Sequence, residues 1–284
     1  MNFPLEKFNP FEIGLRPIDK KDWLSLNNSD SIYIQNKHRL IQENIQEVYF
    51  VSEDFKQDIF DLAQLLQGDL IEQESGLQER LHLSLQETGI ESINHDNALL
   101  VLSLLVEDDL VILRSEEDSF KMIAGAVFSP SGWDLKSKQF LDINDIHSPV
   151  PHYDSLLAER LNKILTKLPI CIPFERHNWS IYGSEDLFQP PEIKQAKGID
   201  ILSKEDIESI NIRIERQTLY KPENSNLILF SIRVRNYPIN EITENKSLGQ
   251  NFYLALEGLS EEMIEYKGLT SSIGIFKAYL KSFL

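Results

Sequence analysis

Two long runs in the C-terminal half constrain the fold most: NIRIERQTLY (211–220) and NLILFSIRVRNY (226–237), joined by KPENSN. Both alternate and are rich in β-branched and aromatic residues, and the linker has hairpin chemistry. Strand residues of like parity share a face. Arg213, Glu215 and Gln217 therefore lie on one face of the first strand, with Ile212, Ile214, Arg216 and Thr218 on the other. In the second strand Leu229, Ser231, Arg233 and Arg235 share a face opposite Phe230, Ile232 and Val234. Charge stands beside residues of core character in both. For Arg213 and Arg235 the plain reading is a solvated outer face with cross-strand ion pairs. Glu215, Arg216 and Arg233 sit among apolar or amide neighbours and are expected in a pocket, where they would polarise a bound ligand.

The rest of the chain supplies more strands and flanking helices. LVILR (110–114) and FKMIAGAVF (120–128), separated by a polar turn, predict a second antiparallel hairpin, and NWSIY (178–182) a further short strand. The N-terminal third reads mostly helical. Ser52 is expected to cap a helix buried through Phe55, Ile59, Leu62, Ala63 and Leu66 and stopped at Gly68. Asp96 is expected to cap a helix carrying ALLVLSLLV (98–106), apolar all round and so central to the core. Asp154 or Ser155 is expected to cap a helix burying Leu157, Leu161, Ile164, Leu165 and Leu168. Ser203 with Asp206 resembles a capping box, and residues 250–284 read as helical. An antiparallel sheet of about five strands with helices at both ends is an α+β arrangement. No repeat or low-complexity linker divides the 284 residues, so one domain over 1–284 is expected.

Charge and cysteine content exclude several classes. A net charge of −17 argues against a nucleic-acid or anionic-membrane surface, which needs clustered Lys and Arg. A single cysteine, Cys171, excludes an intrachain disulfide, an iron–sulfur cluster or a four-thiolate zinc site within the chain. The start, MNFPLEKFNPF, lacks the features of a signal peptide. The longest apolar run is about half a membrane span. The reducing cytoplasm is the expected compartment.

The segment between the hairpins carries the chemistry-bearing residues. It reads GAVFSPSGWDLKSK (125–138), IHSPVPHYD (146–154) and FERHNWSIY (174–182). His147 is followed by Pro149 and Pro151. Prolines fix φ, remove donors and push the preceding residue towards extended geometry. The expectation is an imidazole on a stiffened, non-helical strap, as a metal ligand or acid/base group. The alternative is a hydrogen-bonded structural histidine. His177 is the second choice, and His38, His82, His95 and His152 read as surface or capping residues. Cys171, in the apolar PICIPF, reads as an inert core thiol, with a thiolate ligand as the alternative.

Eight blocks in order resemble the family of the haem-dependent oxidative N-demethylase α subunit. They are IGLRPIDKKDWL, LLVEDDLVIL, AGAVFSPSGWDLKSK, IHSPVP, RHNWSI, IRIERQTLYK, LFSIRVRNY and EYKGL, spread over roughly 250 residues. The resemblance implies a PAS-like α+β fold, with an antiparallel sheet gripping a ligand between flanking helices. It implies haem b and its iron in that pocket, with dioxygen activated there to remove an N-methyl group from a small amine such as dimethylamine. It implies electrons from NADPH through partner subunits carrying flavin and an iron–sulfur centre. This chain lacks the Gly-rich dinucleotide fingerprint and the cysteines for those cofactors. By the same resemblance His147 is the axial iron ligand and Arg176 pairs with a haem propionate. Arg233 or Arg216 would donate to bound dioxygen, and Glu215 would pair with a protonated amine. Trp133 and Trp179 read as core residues. The competing reading is a PAS-type sensor or binding module that holds haem or another small ligand without turnover.

Overall fold

Alternation in the two hairpins translates directly into the centre of the molecule. The computed structural model describes residues 14–284 apart from 27, 29–30, 118, 154–156, 192–203 and 224. Its strands are β1 (Arg16–Pro17), β2 (Tyr49–Val51), β3 (Asp109–Glu116), β4 (Ser119–Ala126), β5 (Phe174–Tyr182), β6 (Asn211–Tyr220) and β7 (Leu227–Pro238). They form one seven-stranded antiparallel sheet in the order β1-β5-β6-β7-β3-β4-β2. Five strands are long, as expected. The two edge strands are too short to leave a periodic signal. The β3–β4 and β6–β7 hairpins lie side by side because β7 also pairs with β3, Phe230 opposite Val111. With eleven helices among the described residues packed around this sheet, the fold is α+β.

The helices cover the two faces unequally. One face carries Leu110, Ile112, Ala124, Tyr220 and Leu229 at one end and Trp179, Ile181, Ile212 and Ile214 at the other. The first group packs under α1 (Ile32–Val48), α2 (Lys56–Gln73), α3 (Leu77–Thr88) and α4 (Ala98–Ser103). The second packs under α7 (Lys204–Glu208), α8 (Ile239–Glu244), α9 (Lys246–Glu257) and α11 (Ile273–Lys281). All six residues of α4 are buried, as its all-round apolar character predicts. Each fully buried Leu or Ile contributes about 1.5–3 kcal/mol. The opposite face meets α5 (Ile143–His147) and α6 (Ala158–Thr166) through Ile143, Leu165 and Leu168 against Val111, Met122, Leu219 and Ile228. Gly125 of β4 lets this cover come close, because a Cβ there would lie 2.8 Å from a Leu135 methyl. The remaining helix, α10 (Glu261–Tyr266), ends beside Lys267.

Several local expectations are corrected. Residues 143–147 are helical, with Asp142 accepting from the Asn144 amide at 2.8 Å as N-cap, and Ser148 is right-handed helical despite preceding Pro149. His147 thus ends a short helix and does not begin an extended strap. The Val150 amide donating to the His147 carbonyl at 2.8 Å holds this turned geometry. Gly68 does not stop α2, because Leu70 continues the buried stripe beyond it. Ser52 and Asp96 make no side-chain cap; residue 97 precedes α4. In α6 only Leu165 is buried, Leu168 is buried just after it, and Leu157 is exposed. The expected caps Asp154, Ser155 and Ser203 lie outside the described residues. Cys171 is exposed, not a core thiol.

Candidate functional site

Side-chain parity sorts the polar residues of the sheet centre onto two faces. Glu175, His177, Arg216 and Arg233 share the face under the N-terminal segment, since His177 pairs with Arg216 and Arg216 with Arg233. Arg176, Asn178, Glu215 and Gln217 share the other, since Arg176 pairs with Gln217 and Asn178 with Glu215. The sequence expectation of one pocket holding His147, Glu215, Arg216 and Arg233 is therefore divided by the sheet itself.

The first face is closed by main chain. Arg216 donates from Nε to Glu175 at 2.7 Å, from Nη1 to the Trp23 carbonyl and from Nη2 to the Asp22 carbonyl, both at 2.6 Å. Arg16 also donates to Glu175, at 2.7 Å. Burial pushes the Glu175 carboxyl up, but the charge and hydrogen bond of Arg216 outweigh it, so the group stays below the ordinary carboxylate value. Arg233 bonds Ser25 Oγ and lies 4.0 Å from Glu107. Trp23 Nε1 donates to Thr218 Oγ1 at 2.8 Å, and Thr218 meets Ser231 at 2.7 Å. His177 is buried, and burial lowers its pKa to about 4. Arg216 and Arg233 thus fasten the stretch from Asp22 to Ser25 to the sheet. The buried cation Lys37 works similarly at the end of the sheet. It donates to the carbonyls of Ser103, Val106 and Asp108 at 2.7–2.9 Å and so orders the VEDD turn into β3.

Arg213 departs from the solvated reading. It is 0% exposed. It donates to the carbonyls of Ser129, Pro130, Asp186 and Leu187 at 2.7–3.1 Å and to Ser131 Oγ at 2.9 Å, clamping two loops together. Nearby, Asp109 accepts from the Phe128 and Ser129 amides at 3.0 and 2.8 Å.

The second face is half-buried and carries polar groups with capacity to spare. Phe230 and Trp133, both partly buried, pack against a small buried cluster of Leu187, Ile232 and Val234. Glu215 accepts from Gln217 Nε2 at 2.8 Å and Asn178 Nδ2 at 3.3 Å. Arg176 Nε is buried with no hydrogen-bond partner among the described residues. Burial lowers the Arg176 pKa, with Glu215 opposing it. Lys267 reaches the open edge of β5, donating to the Trp179 carbonyl at 2.7 Å with its charge 4.3 Å from the Trp179 ring centroid. Burial lowers its pKa to about 8, again opposed by Glu215.

His147 belongs with this second face. Its helix packs there through Ile143. Burial lowers the His147 pKa, the bond to Ile143 opposes this, and the charges of Arg176 and Lys138 lower it further. The ring is thus neutral at pH 7, with Nδ1 2.8 Å from the Ile143 carbonyl. A carbonyl can only accept, so Nδ1 carries the proton and Nε2 keeps its lone pair. The segment is bracketed by two non-glycine residues in the left-handed region, Phe140 (φ 61°) and His152 (φ 58°). Such backbone costs of order 1 kcal/mol each and clusters at functional sites.

Of the residues singled out from sequence, the structure groups His147, Arg176 and Glu215 and sets Arg216 and Arg233 apart. Trp179 packs edge-on against Phe252 in the core, and Trp133 is half-buried beside the second face. His38 is mostly buried, with Nδ1 2.6 Å from a Glu87 carboxylate oxygen, and burial lowers its pKa. Sequence reasoning missed Asn178, Gln217, Tyr153 and Lys267. The usable signals were the amides adjoining Glu215 in pairing strands and the lysine inside the EYKGL block.

Fold and site define an α+β protein in which a sheet face carrying a buried guanidinium and a carboxylate is covered by a short helix that ends in a neutral histidine. Residues 14–273 match the family model described as "haem-dependent oxidative N-demethylase, alpha subunit-like". The chain belongs to that family. The family is haem-dependent and is named for an α subunit, which implies partner subunits. No helix among the described residues is long and apolar enough to cross a membrane.

Proposed function

We propose that this chain is the haem-binding subunit of an oxidative N-demethylase, holding haem b on the second sheet face in a PAS-like pocket with His147 as axial ligand. The observation that carries the reading is the 2.8 Å contact between His147 Nδ1 and the Ile143 carbonyl, which leaves Nε2 to bind iron. The remaining residues fit the group as well. Arg176 offers a buried, unpartnered Nε–H to a propionate carboxylate, for which a planar guanidinium is suited. Trp133 and Phe230, both partly exposed, supply apolar surface for a flat macrocycle. Among the described residues no group of three His, Cys, Asp or Glu could hold a metal. A porphyrin brings its own equatorial nitrogens and needs only an axial ligand from the protein.

When bound, the haem supplies oxygen activation. The balanced reaction converts an N-methylamine, dioxygen, two electrons and two protons into the demethylated amine, formaldehyde and water. The electrons come from partner reductase subunits carrying flavin and an iron–sulfur centre. Glu215, oriented by Gln217 and Asn178, holds the protonated amine of a substrate such as dimethylamine, because a buried cation needs a counter-ion. The apolar surface excludes water around the N-methyl group. The bonds that Arg216 and Arg233 make on the opposite face give them a structural role, so the dioxygen contact expected of them is not retained. Formaldehyde release from dimethylamine by hemin-loaded protein under a chemical reductant and oxygen tests the reading. Stoichiometric formaldehyde supports it. Stable haem binding with no formaldehyde from dimethylamine or related methylamines favours a PAS-type sensor without turnover.

A further inference from the structure

One hydrogen bond fixes where the His147 imidazole sits but leaves it free to rock about the Nδ1–O axis. A second contact removes that freedom. The ring of Tyr153 lies 5.3 Å from the imidazole centroid at an interplanar angle of 16°. Tyr153 is buried, 3% exposed, so its ring has no solvent-facing alternative. Its hydroxyl donates to Asn144 Oδ1 at 3.1 Å, and the same oxygen accepts from Asn162 Nδ2 at 3.0 Å. Asn144 Nδ2 in turn donates to Ser119 Oγ at 3.1 Å. The phenol is thereby tied to α5, α6 and the start of β4 at once. The left-handed backbone at His152 and the Tyr153 amide donating to the Val150 carbonyl at 3.1 Å turn the chain back beneath the imidazole.

We infer that Tyr153 is a positioning residue that sets the plane of the His147 imidazole, and with it the orientation of the axial ligand over the macrocycle. This rests on the haem reading above. Stacking is the only one of the two contacts that resists rotation about the hydrogen bond. The amide network makes the stacking ring itself rigid. A leucine at 153 would fill space without defining a plane. A phenylalanine would keep the plane and lose the tether.

The test is hemin titration by Soret absorbance, with electron paramagnetic resonance of the ferric cyanide complex, on wild type, Tyr153→Leu, Tyr153→Met, Tyr153→Phe and His147→Ala. Circular dichroism reports whether each folds. Tyr153→Leu is expected to bind hemin about tenfold more weakly, in the range seen when a partner orienting a metal ligand is removed. Its g values should broaden, as a spread of imidazole angles requires. Tyr153→Phe should show a smaller change in the same sense. A folded Tyr153→Leu protein with wild-type affinity and g values overturns the inference. If that variant does not fold, Tyr153→Met, which also removes the ring, decides by the same criterion. Wild type that takes up no hemin removes this inference and the haem reading together. Hemin binding that depends on His147 but is indifferent to Tyr153 removes only the positioning role.

Discussion

Arg176 and Arg216 sit one residue out of step on neighbouring strands and point to opposite faces of the sheet. On one side the N-terminal segment lies across the strands, and its carbonyls, with Glu175, take donors from every nitrogen of Arg216. On the other side helices cover only part of the face, and Arg176 Nε is buried with no hydrogen-bond partner among the described residues. The contrast shows that a buried arginine on a strand has no role of its own. What covers the face decides how many of the guanidinium's donors the protein itself uses. The same rule places Arg213, whose donors go to two loops, with Arg216 despite its position on the open face.

The sharpest way to break this comparison is to remove each arginine. Arg216→Ala should cost about 3 kcal/mol or more, because it strands a buried Glu175 carboxylate that Arg16 only partly offsets. Arg176→Ala should cost no more than about 1 kcal/mol, since Arg176 Nε makes no hydrogen bond among the described residues and Glu215, its electrostatic partner, keeps its bonds from Gln217 and Asn178. Urea denaturation of both variants measures the difference, and equal losses would dissolve the distinction.

A second prediction concerns the buried carboxylate beside Arg213. Burial raises the Asp109 pKa from 3.8 to about 6, against the opposing charge of Lys37 and the two backbone bonds. Between those values the folded chain holds a proton that the unfolded chain has released. Its contribution to stability therefore rises as pH falls from about 6 towards 4, by on the order of 2–3 kcal/mol. Asp109→Asn should abolish that slope. Parallel stability profiles at pH 4 and pH 6 for variant and wild type would contradict it.

Smaller effects belong to the open face. Arg176→Ala should weaken hemin binding about tenfold through loss of a charge-assisted bond, with the Soret position unchanged. A shifted Soret band would instead make Arg176 part of the ligation. Glu215→Gln should leave hemin binding intact and raise the dimethylamine concentration for half-maximal formaldehyde release about fivefold. An unchanged concentration dependence would place the amine elsewhere.

Much of the fold was legible because alternation survives in sequence. Both hairpins, β5 and the buried α4 follow from local pattern. The site was legible only in part. Parity correctly set Glu215 against Arg216 within β6, but a single strand does not say which of its faces is covered by main chain. Arg216 and Arg233 looked functional because their neighbours are apolar, and that environment is equally what a structural clamp requires. The prolines after His147 suggested an extended strap, yet the capping signal at Asp142 and Asn144 was present and prevails locally. Lys37 lies in a stripe with Ile34 and Ile41, so a cation on an apolar face was visible without revealing the carbonyls that hold it. The edge strands β1 and β2, of two and three residues, carry no signal at all.

The central claim is that the open face of the sheet grips haem through a neutral His147. Titrating wild type and His147→Ala with hemin and following the Soret band tests it most directly. The account predicts one equivalent bound by wild type with an imidazole-ligated spectrum, and affinity lower by about a hundredfold or more with that spectrum lost in the variant. Hemin binding by His147→Ala with the affinity and spectrum of wild type would contradict it.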